Sequence, residues 1–377
     1  MRVAIVHDFL AQMGGAEKVV EVFHEMFPEA PVYTSVYDAD AMPDAYRAWD
    51  IRTSFLQRMP YKRFTHRAAF LLYPLAFESF DLNEYDLVLS SSSAFAKGVI
   101  TQPHTAHICY THAPMRYGWT PRAYMRNERA SRLTRLLLAP GLHYLRLWDY
   151  AATARVDRFV ANSSAVAKRI SKFYRQDSDV VFPPVDTARF TIADSVGDYY
   201  LIAARFVPYK RLDLAVEAFT MLDRPLKVVG DGRQRRALQA IAGKNIEFLG
   251  TVDNAAMPDL MAHARAYILP GEEDFGIAPV EANSCGRPVI AFAAGGAMDS
   301  QIDGKTGVLF SDQSVGGLCK AVLRMDSISF DPIAIRRHSQ RFNTESFRQG
   351  IWSVIEQNVD YRIAPDELSE AHAALVS

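Results

Sequence analysis

The sequence predicts an α/β chain made of two Rossmann-like parallel-sheet units. Three observations lead there. Short apolar runs end in turn or hydroxyl residues and alternate with stretches of helical periodicity, the pattern of parallel strands joined by crossovers. That pattern occurs twice, once on each side of Pro183-Pro184. A proline pair disfavours both a continued helix and a central strand, so it marks a boundary. The length of 377 residues suits two domains of about 150 residues each, with some to spare.

In the first unit, placed at residues 1–184, Val3–Val6 is an apolar run followed by a turn at Gly14-Gly15. Val19, Val20, Phe23, Met26 and Phe27 then recur at helical spacing. Tyr85–Leu89 is a second strand ending in Ser90–Ser93, and Ala106–Tyr110 a third ending in Thr111-His112. Arg158–Ala161 follows, with Asn162-Ser163-Ser164 as the N-cap of a helix through Val166 and Ile170. In the second unit, 185–355, Tyr199–Ala203 is a strand, and Leu212, Ala215, Val216, Phe219 and Leu222 form a helical stripe. Leu226–Val229 stops at Gly230-Asp231-Gly232. Ile246–Leu249, Ala266–Leu269 and Val289–Phe292 complete the pattern. Residues 356–377 read as a tail or weak final helix that crosses back to the first unit.

Hydrophobic residues make up 49% and charged residues 23%, which excludes a disordered chain, a collagen and a coiled coil. Net charge is −1, so bulk charge does not suggest nucleic acid. The total hides an asymmetry. Residues 1–183 carry 22 basic and 18 acidic residues, and 184–377 carry 20 and 25. Within 51–146 there are 13 basic residues against 5 acidic. Cys109, Cys285 and Cys319 form neither a metal-ligand spacing nor a disulfide framework, and each reads as a small buried hydrophobe in a reducing compartment. The N-terminal MRVAIVHDFL lacks the apolar core and cleavage site of a signal peptide. The longest uncharged apolar stretch, Ala68–Phe77, holds a proline and is too short for a bilayer, which needs roughly 20 residues.

In open parallel sheets, ligands bind beyond the carboxyl ends of the strands. Four segments there carry chemistry. Gly14-Gly15-Ala-Glu17-Lys18 lets backbone N–H groups approach an anion, or is a plain turn. Arg205 and Lys210 after the Tyr199–Ala203 strand suit a diphosphate, or sit in a solvated loop. In Pro270-Gly-Glu-Glu273-Asp-Phe-Gly-Ile-Ala-Pro279-Val-Glu281, proline tolerance in a first turn starts a helix at Pro279. Phe275, Gly276, Ile277 and Ala278 then offer N–H groups at its positive end, with Glu281 in its first turn and Glu273 in the preceding loop. The bland alternatives are a dipole-complementing Glu281 and a solvated Glu273. Thr111-His112 ends a strand, where a histidine either meets a hydroxyl or is structural.

Together these motifs resemble glycosyltransferase family 4, the retaining, nucleotide-sugar-dependent enzymes of GT-B fold. Glu273 and Glu281 match its paired glutamates, and Arg205 and Lys210 its diphosphate-binding pair. The N-terminal Gly-Gly-Ala-Glu, the Gly230-Asp-Gly turn, Phe248-Leu-Gly250, Gly295-Gly296 and Asp303-Gly-Lys-Thr-Gly307 match in order, over residues 1 to about 355. Asp299 departs from the pattern, where members usually show Glu. HICYTHAPMRYGW, LRLWDYAATARVDRFVANSS and VVFPPVD resemble bacterial mannosyltransferases of polysaccharide and O-antigen assembly.

The resemblance implies two domains facing a cleft, and GDP-mannose as the donor. It implies that Glu281 holds the ribose, while Glu273 and the backbone of Phe275, Gly276, Ile277 and Ala278 hold the donor sugar. Arg205 and Lys210, with Gly14, Gly15 and Gly230 at neighbouring turns, serve the diphosphate, and His112 touches the sugar. Two cations and a helix end take a metal's place, so metal-independent, front-face retaining catalysis is expected, with no cofactor beyond the donor. The implied acceptor is a polyprenyl-diphosphate-linked saccharide of exopolysaccharide or lipopolysaccharide assembly.

Such an acceptor gives the basic region a membrane reading. Arg58, Lys62, Arg63 and Arg67 precede Phe70–Tyr73. Arg116, Arg122, Arg126, Arg129, Arg132, Arg135 and Arg146 lie among aromatic and aliphatic residues. This suits an anionic membrane, with the protein peripheral on the inner face of the cytoplasmic membrane; solvated helix faces are the alternative. Other functional readings are a UDP-sugar donor, an epimerase of the same fold, and a non-catalytic nucleotide-sugar-binding subunit. No nucleic-acid reader motif accompanies the basic stretch.

Overall fold

The computed structural model describes residues 1–59, 69–121 and 132–359, with backbone only at 69 and 132–137. The chain forms two compact units, Met1–Phe182 with the chain from Phe347 onward, and Pro183–Ser346. Both are parallel-sheet Rossmann-like domains, as the alternation of strand and helix requires.

The first unit holds β1 (Val3–His7), α1 (Gly15–Met26), β2 (Val32–Thr34), β3 (Ile51–Thr53), α2 (Tyr73–Glu78), β4 (Leu87–Ser92), β5 (Ala106–Thr111), α3 (Arg132–Ala152), β6 (Arg158–Ala161), α4 (Ser164–Tyr174) and β7 (Ser178–Val180). Its seven strands run parallel in the order β3-β2-β1-β4-β5-β6-β7. Successive residues of a strand point to opposite faces. Ile5, Leu89 and Ile108 pack with Val20 and Phe23 on one face, and Ala4, Val6 and Val88 with Phe77, Phe95 and Leu145 on the other. Both faces are covered, which is why these strands read as continuous apolar runs.

The second unit holds β8 (Tyr200–Ala203), α5 (Leu212–Leu222), β9 (Leu226–Val229), α6 (Arg235–Ile241), β10 (Ile246–Gly250), β11 (Tyr267–Leu269), α7 (Ile277–Ser284), β12 (Val289–Phe292), β13 (Gly307–Phe310), α8 (Val315–Asp326) and α9 (Pro332–Ser339). Its six parallel strands run β10-β9-β8-β11-β12-β13. In each sheet the chain builds outward in one direction, then returns to build in the other. The reversal lies between β1 and β4 in the first unit and between β8 and β11 in the second. A ligand crevice opens at such a reversal, beyond the carboxyl ends of the strands.

Several expectations need correction. The strands β2, β3, β7 and β13 are missed by the hydrophobic pattern; each is three or four residues long, and β3, β7 and β13 are sheet edges with β2 next to one. The serines after Leu89 belong to β4, which runs on to Ser92 because Ser90, Ser91 and Ser92 pair with Cys109, Tyr110 and Thr111. The return to the first unit comes at Phe347 rather than at 356. It lies inside α10 (Thr344–Val359), whose Phe347, Ile351, Trp352 and Ile355 are buried in the first unit's core. Phe347 stacks on Phe23 at 5.8 Å and Trp352 on Phe27 at 6.0 Å. All three cysteines are free and buried.

Candidate functional site

The second unit's candidate residues sit at the carboxyl ends of β8, β9 and β11. After β8, the chain turns through Arg205, which is exposed, to a 3-10 turn at Pro208–Lys210. The glycine turn after β9 supports it. Gly230 has φ +118, and a Cβ there would lie 2.0 Å from the Ala204 carbonyl oxygen. The Phe206 N–H donates to the Asp231 carbonyl at 2.9 Å. Gly230 therefore shapes the Arg205 segment from behind.

The loop after β11 is clamped on two sides. At Gly271 a Cβ would meet the Tyr209 carbonyl oxygen at 2.5 Å, so only glycine lets this loop close on Lys210. At Gly295, φ is +63 and a Cβ would stand 2.0 Å from the Glu273 carbonyl oxygen. The Gly296 N–H donates to that same carbonyl at 2.9 Å. The result brings two predicted residues together, with Lys210 Nζ 2.5 Å from Glu273 Oε1 and both side chains about four-fifths buried. A largely buried ion pair at the mouth of a switch point is not a solvated surface bridge.

Gly276, at φ +89, precedes α7, which begins at Ile277 and not at Pro279. The left-handed glycine ends the loop two residues earlier than the proline signal places it. Glu281 consequently lies in the second turn, so dipole complementation at the helix start does not account for it. Phe275 is buried, and the backbone from Phe275 to Ala278 forms the loop-to-helix junction.

Tyr267, on β11, carries no sequence signal beyond its place in an apolar run. Its hydroxyl donates to the Ala203 carbonyl at 2.8 Å, fixing the end of β8. Burial raises its pKa far above the usual phenol range, with Glu273 and Glu281 adding to the shift. The two glutamates thus share one electrostatic neighbourhood. Gln313 donates to the Pro270 carbonyl at 2.9 Å and is likewise invisible to motif reading. Asp299 follows the Gly295-Gly296 clamp, in the first turn of the short helix Ala297–Ser300.

Gly14, Gly15 and His112 lie in the first unit. Gly14 is an extended N-cap and Gly15 opens α1. His112 follows β5, its N–H donating to the Ser92 carbonyl at 2.9 Å and its carbonyl accepting from Asn162 Nδ2 at 3.0 Å. Burial, with a smaller contribution from the neighbouring His7, pushes its pKa down to about 3, so the ring is neutral. Ser91 Oγ lies 2.8 Å from His112 Nε2 and 3.1 Å from His7 Nδ1, and His7 Nε2 lies 3.6 Å from Glu17 Oε1. Asp8 accepts from the N–H groups of Ser93, Ala94, Phe95 and Ala96 at 2.6–3.0 Å, which folds the loop after β4. Beneath that loop Lys97 is buried against Asp149, whose second oxygen accepts from Trp119 Nε1 at 2.7 Å.

Among the described residues, no group of three or more His, Cys, Asp or Glu is placed to hold a metal ion. The two Asp-x-Asp strings, Asp38–Asp40 and Asp177–Asp179, have arginine partners at Asp40 (Arg47) and Asp179 (Arg158). Lys62, Arg63, Arg67, Arg122, Arg126 and Arg129 lie outside the described residues, as do the side chains of Arg132 and Arg135 and the segment 360–377.

Comparison with known proteins agrees with the fold. The profile of Glycosyltransferase Family 4 matches residues 13–189, and that of Glycosyl transferases group 1 matches 189–328. A D-inositol 3-phosphate glycosyltransferase from Jonesia denitrificans is 29% identical over 238 residues, covering 52% of this chain and 56% of that protein. A GDP-mannose-dependent alpha-(1-6)-phosphatidylinositol monomannoside mannosyltransferase from Mycolicibacterium smegmatis is 27% identical over 216 residues, covering 46% and 56%. The matches thus span little more than half the length of these relatives. Among solved structures, Anabaena HepE in complex with UDP and glucose superposes with a TM-score of 0.67 at 19% identity, covering 94% of this chain and 99% of that one.

Proposed function

The chain belongs to glycosyltransferase family 4, with the GT-B fold, and on that premise we propose that it is a retaining transferase moving mannose from GDP-mannose to a polyprenyl-diphosphate-linked saccharide. The observation that carries the donor site is the Lys210–Glu273 pair, held by glycine clamps at the entrance to α7. Arg205 and Lys210 neutralise the diphosphate as the glycosidic bond breaks, where negative charge develops. Glu273 and the Phe275–Ala278 backbone hold the sugar, and Glu281 holds the ribose hydroxyls. Gly14 and Gly15 let backbone approach the diphosphate, and Gly230 keeps the Arg205 turn in place. His112 meets the sugar as a neutral ring. The geometry supplies electrostatics and positioning from protein groups, so transfer is expected to need no added metal.

GDP-mannose is supported by the first unit's sequence and by the mannosyltransferase relative. A UDP-sugar is the second reading, because a structural neighbour holds UDP and glucose. Incubation with labelled GDP-mannose or UDP-glucose and lipid-diphosphate-linked acceptors separates them. Label in the lipid fraction from GDP-mannose alone, with the donor's anomeric configuration kept, is the expected result. Release of a free epimer without transfer would contradict it.

A lipid-linked acceptor fits the first unit's surface. Leu71, Leu72 and Leu75 at α2, and Tyr144, Leu147 and Tyr150 on α3, are exposed. The two helices lie side by side, with Leu71 within 3.3 Å of the position a Cβ on Gly141 would take, and Trp148 Nε1 donating to Glu78 at 2.8 Å. Exposed apolar residues beside a basic region suit a peripheral site on the cytoplasmic face of the membrane. Among the described residues no helix is long and apolar enough to cross it.

A further inference from the structure

The first unit contains a file of polar groups of which the transfer reading uses only the last, His112. Glu17, His7, Ser91 and His112 follow one another from the first turn of α1 across the ends of β1, β4 and β5. The His7 and Glu17 side chains are 3% and 5% exposed, and Ser91 is fully buried. Two imidazoles, a hydroxyl and a carboxylate in one dry place are costly to keep unless each satisfies the next. They lie at the reversal of strand order, where a ligand binds.

We infer that Glu17, His7 and Ser91 are positioning residues that orient the His112 imidazole and fix its proton on Nδ1. The inference rests on the proposed contact between His112 and the donor sugar. Donor and acceptor roles follow from the neighbours. His7 Nδ1 lies 3.1 Å from the Ser91 carbonyl oxygen, which only accepts, and His7 Nε2 faces the Glu17 carboxylate, which also accepts. His7 therefore donates from Nδ1, while its Nε2 stands 3.6 Å from the Glu17 carboxylate, beyond hydrogen-bond length. The Ser91 hydroxyl hydrogen is then directed to His112 Nε2 at 2.8 Å. With Nε2 accepting and the ring neutral, Nδ1–H is the remaining donor.

The backbone of His112 is already fixed by Ser92 and Asn162, so Ser91 constrains the freedom left to the ring. The consequence is chemical. His112 offers a hydrogen bond to an oxygen of the sugar and takes no proton from it. Gly14-Gly15 joins the same file, because a Cβ on Gly14 would meet Glu17 Oε2 at 3.0 Å. Movement of that turn when a diphosphate binds would be felt at His112.

Long-range nitrogen–proton correlation spectra of histidine-labelled protein test this directly. Wild type should show His112 protonated on Nδ1, with a proton on Nδ1 of His7 as well. Ser91→Ala should leave a melting curve with the same cooperativity but a mixed His112 tautomer, and Ser91→Thr should restore the single one. With GDP-mannose or UDP-glucose, whichever is consumed, Ser91→Ala and Glu17→Gln should lower kcat roughly tenfold or more at little-changed donor KM, since loss of tautomer control acts on turnover. A wild-type His112 protonated on Nε2, or a tautomer unmoved by Ser91→Ala, overturns the inference. Unchanged turnover in His112→Ala would instead remove the sugar contact, leaving the tautomer result to stand by itself.

Discussion

At the residue scale the donor side depends on where backbone can go. Gly295 accepts φ +63 with a carbonyl oxygen where a Cβ would be. Gly295→Ala should therefore cost about 1–3 kcal/mol, and nucleotide affinity should fall further than the thermal midpoint alone explains. A midpoint within a degree of wild type would contradict the clamp. The buried histidines set acid sensitivity. Burial lowers His107 to about 4 and His112 to about 3, from 6.5 in an unfolded chain. Below about pH 6.5 the unfolded chain binds protons that the native rings refuse, so stability falls with falling pH, until the native rings also protonate. Thermal midpoints should drop steadily from pH 7 to pH 4.5, and less steeply in His107→Asn. The placing of Arg205, Lys210, Glu273 and His112 beyond strand ends was legible because charged and turn residues follow apolar runs. Tyr267, Ser91 and Gln313 were not, because their roles depend on which strands lie side by side.

At the element scale, most strands were readable as apolar runs, the three-residue β11 among them, whereas β2, β3, β7 and β13 were not. A three-residue strand such as β3 is defined by its ladder to β2, which no periodicity announces. The start of α7 was misplaced by two residues because a left-handed glycine, not a proline, ends the loop. α10 was the larger surprise, since its apolar face is buried in a sheet that the chain left at Phe182. Trp352→Ala should destabilise the first unit by about 3–5 kcal/mol, visible as an early, separate unfolding step. A single transition at the wild-type midpoint would argue against that docking. Lys97 ties the loop after β4 to α3 through Asp149. Lys97→Met leaves the carboxylate buried without its cation, and should cost about 3–5 kcal/mol. Lys97→Met with Asp149→Leu should recover part of it.

At the scale of the whole molecule, a net charge of −1 covers a basic first half and an acidic second half. Arg205 and Lys210, to which we assign the donor diphosphate, are a local exception in that acidic half. If the basic half meets anionic lipid, the protein should sediment with anionic vesicles, less so as salt rises, and not with neutral ones. Equal binding to both would leave the exposed leucines and tyrosines without that role. The division into two units was readable from Pro183-Pro184 and from the repeated strand pattern, and a return to the first unit was expected, whereas its start at Phe347 was not. The most direct measurement is a calorimetric titration of the protein, and of Lys210→Ala and Glu281→Ala, with GDP-mannose and UDP-glucose. Wild type should bind GDP-mannose. Each variant should bind it at least tenfold more weakly, the loss expected from about 1.5–3 kcal/mol per hydrogen bond to a charged group. Equal affinity in all three proteins would contradict the assignment of this site.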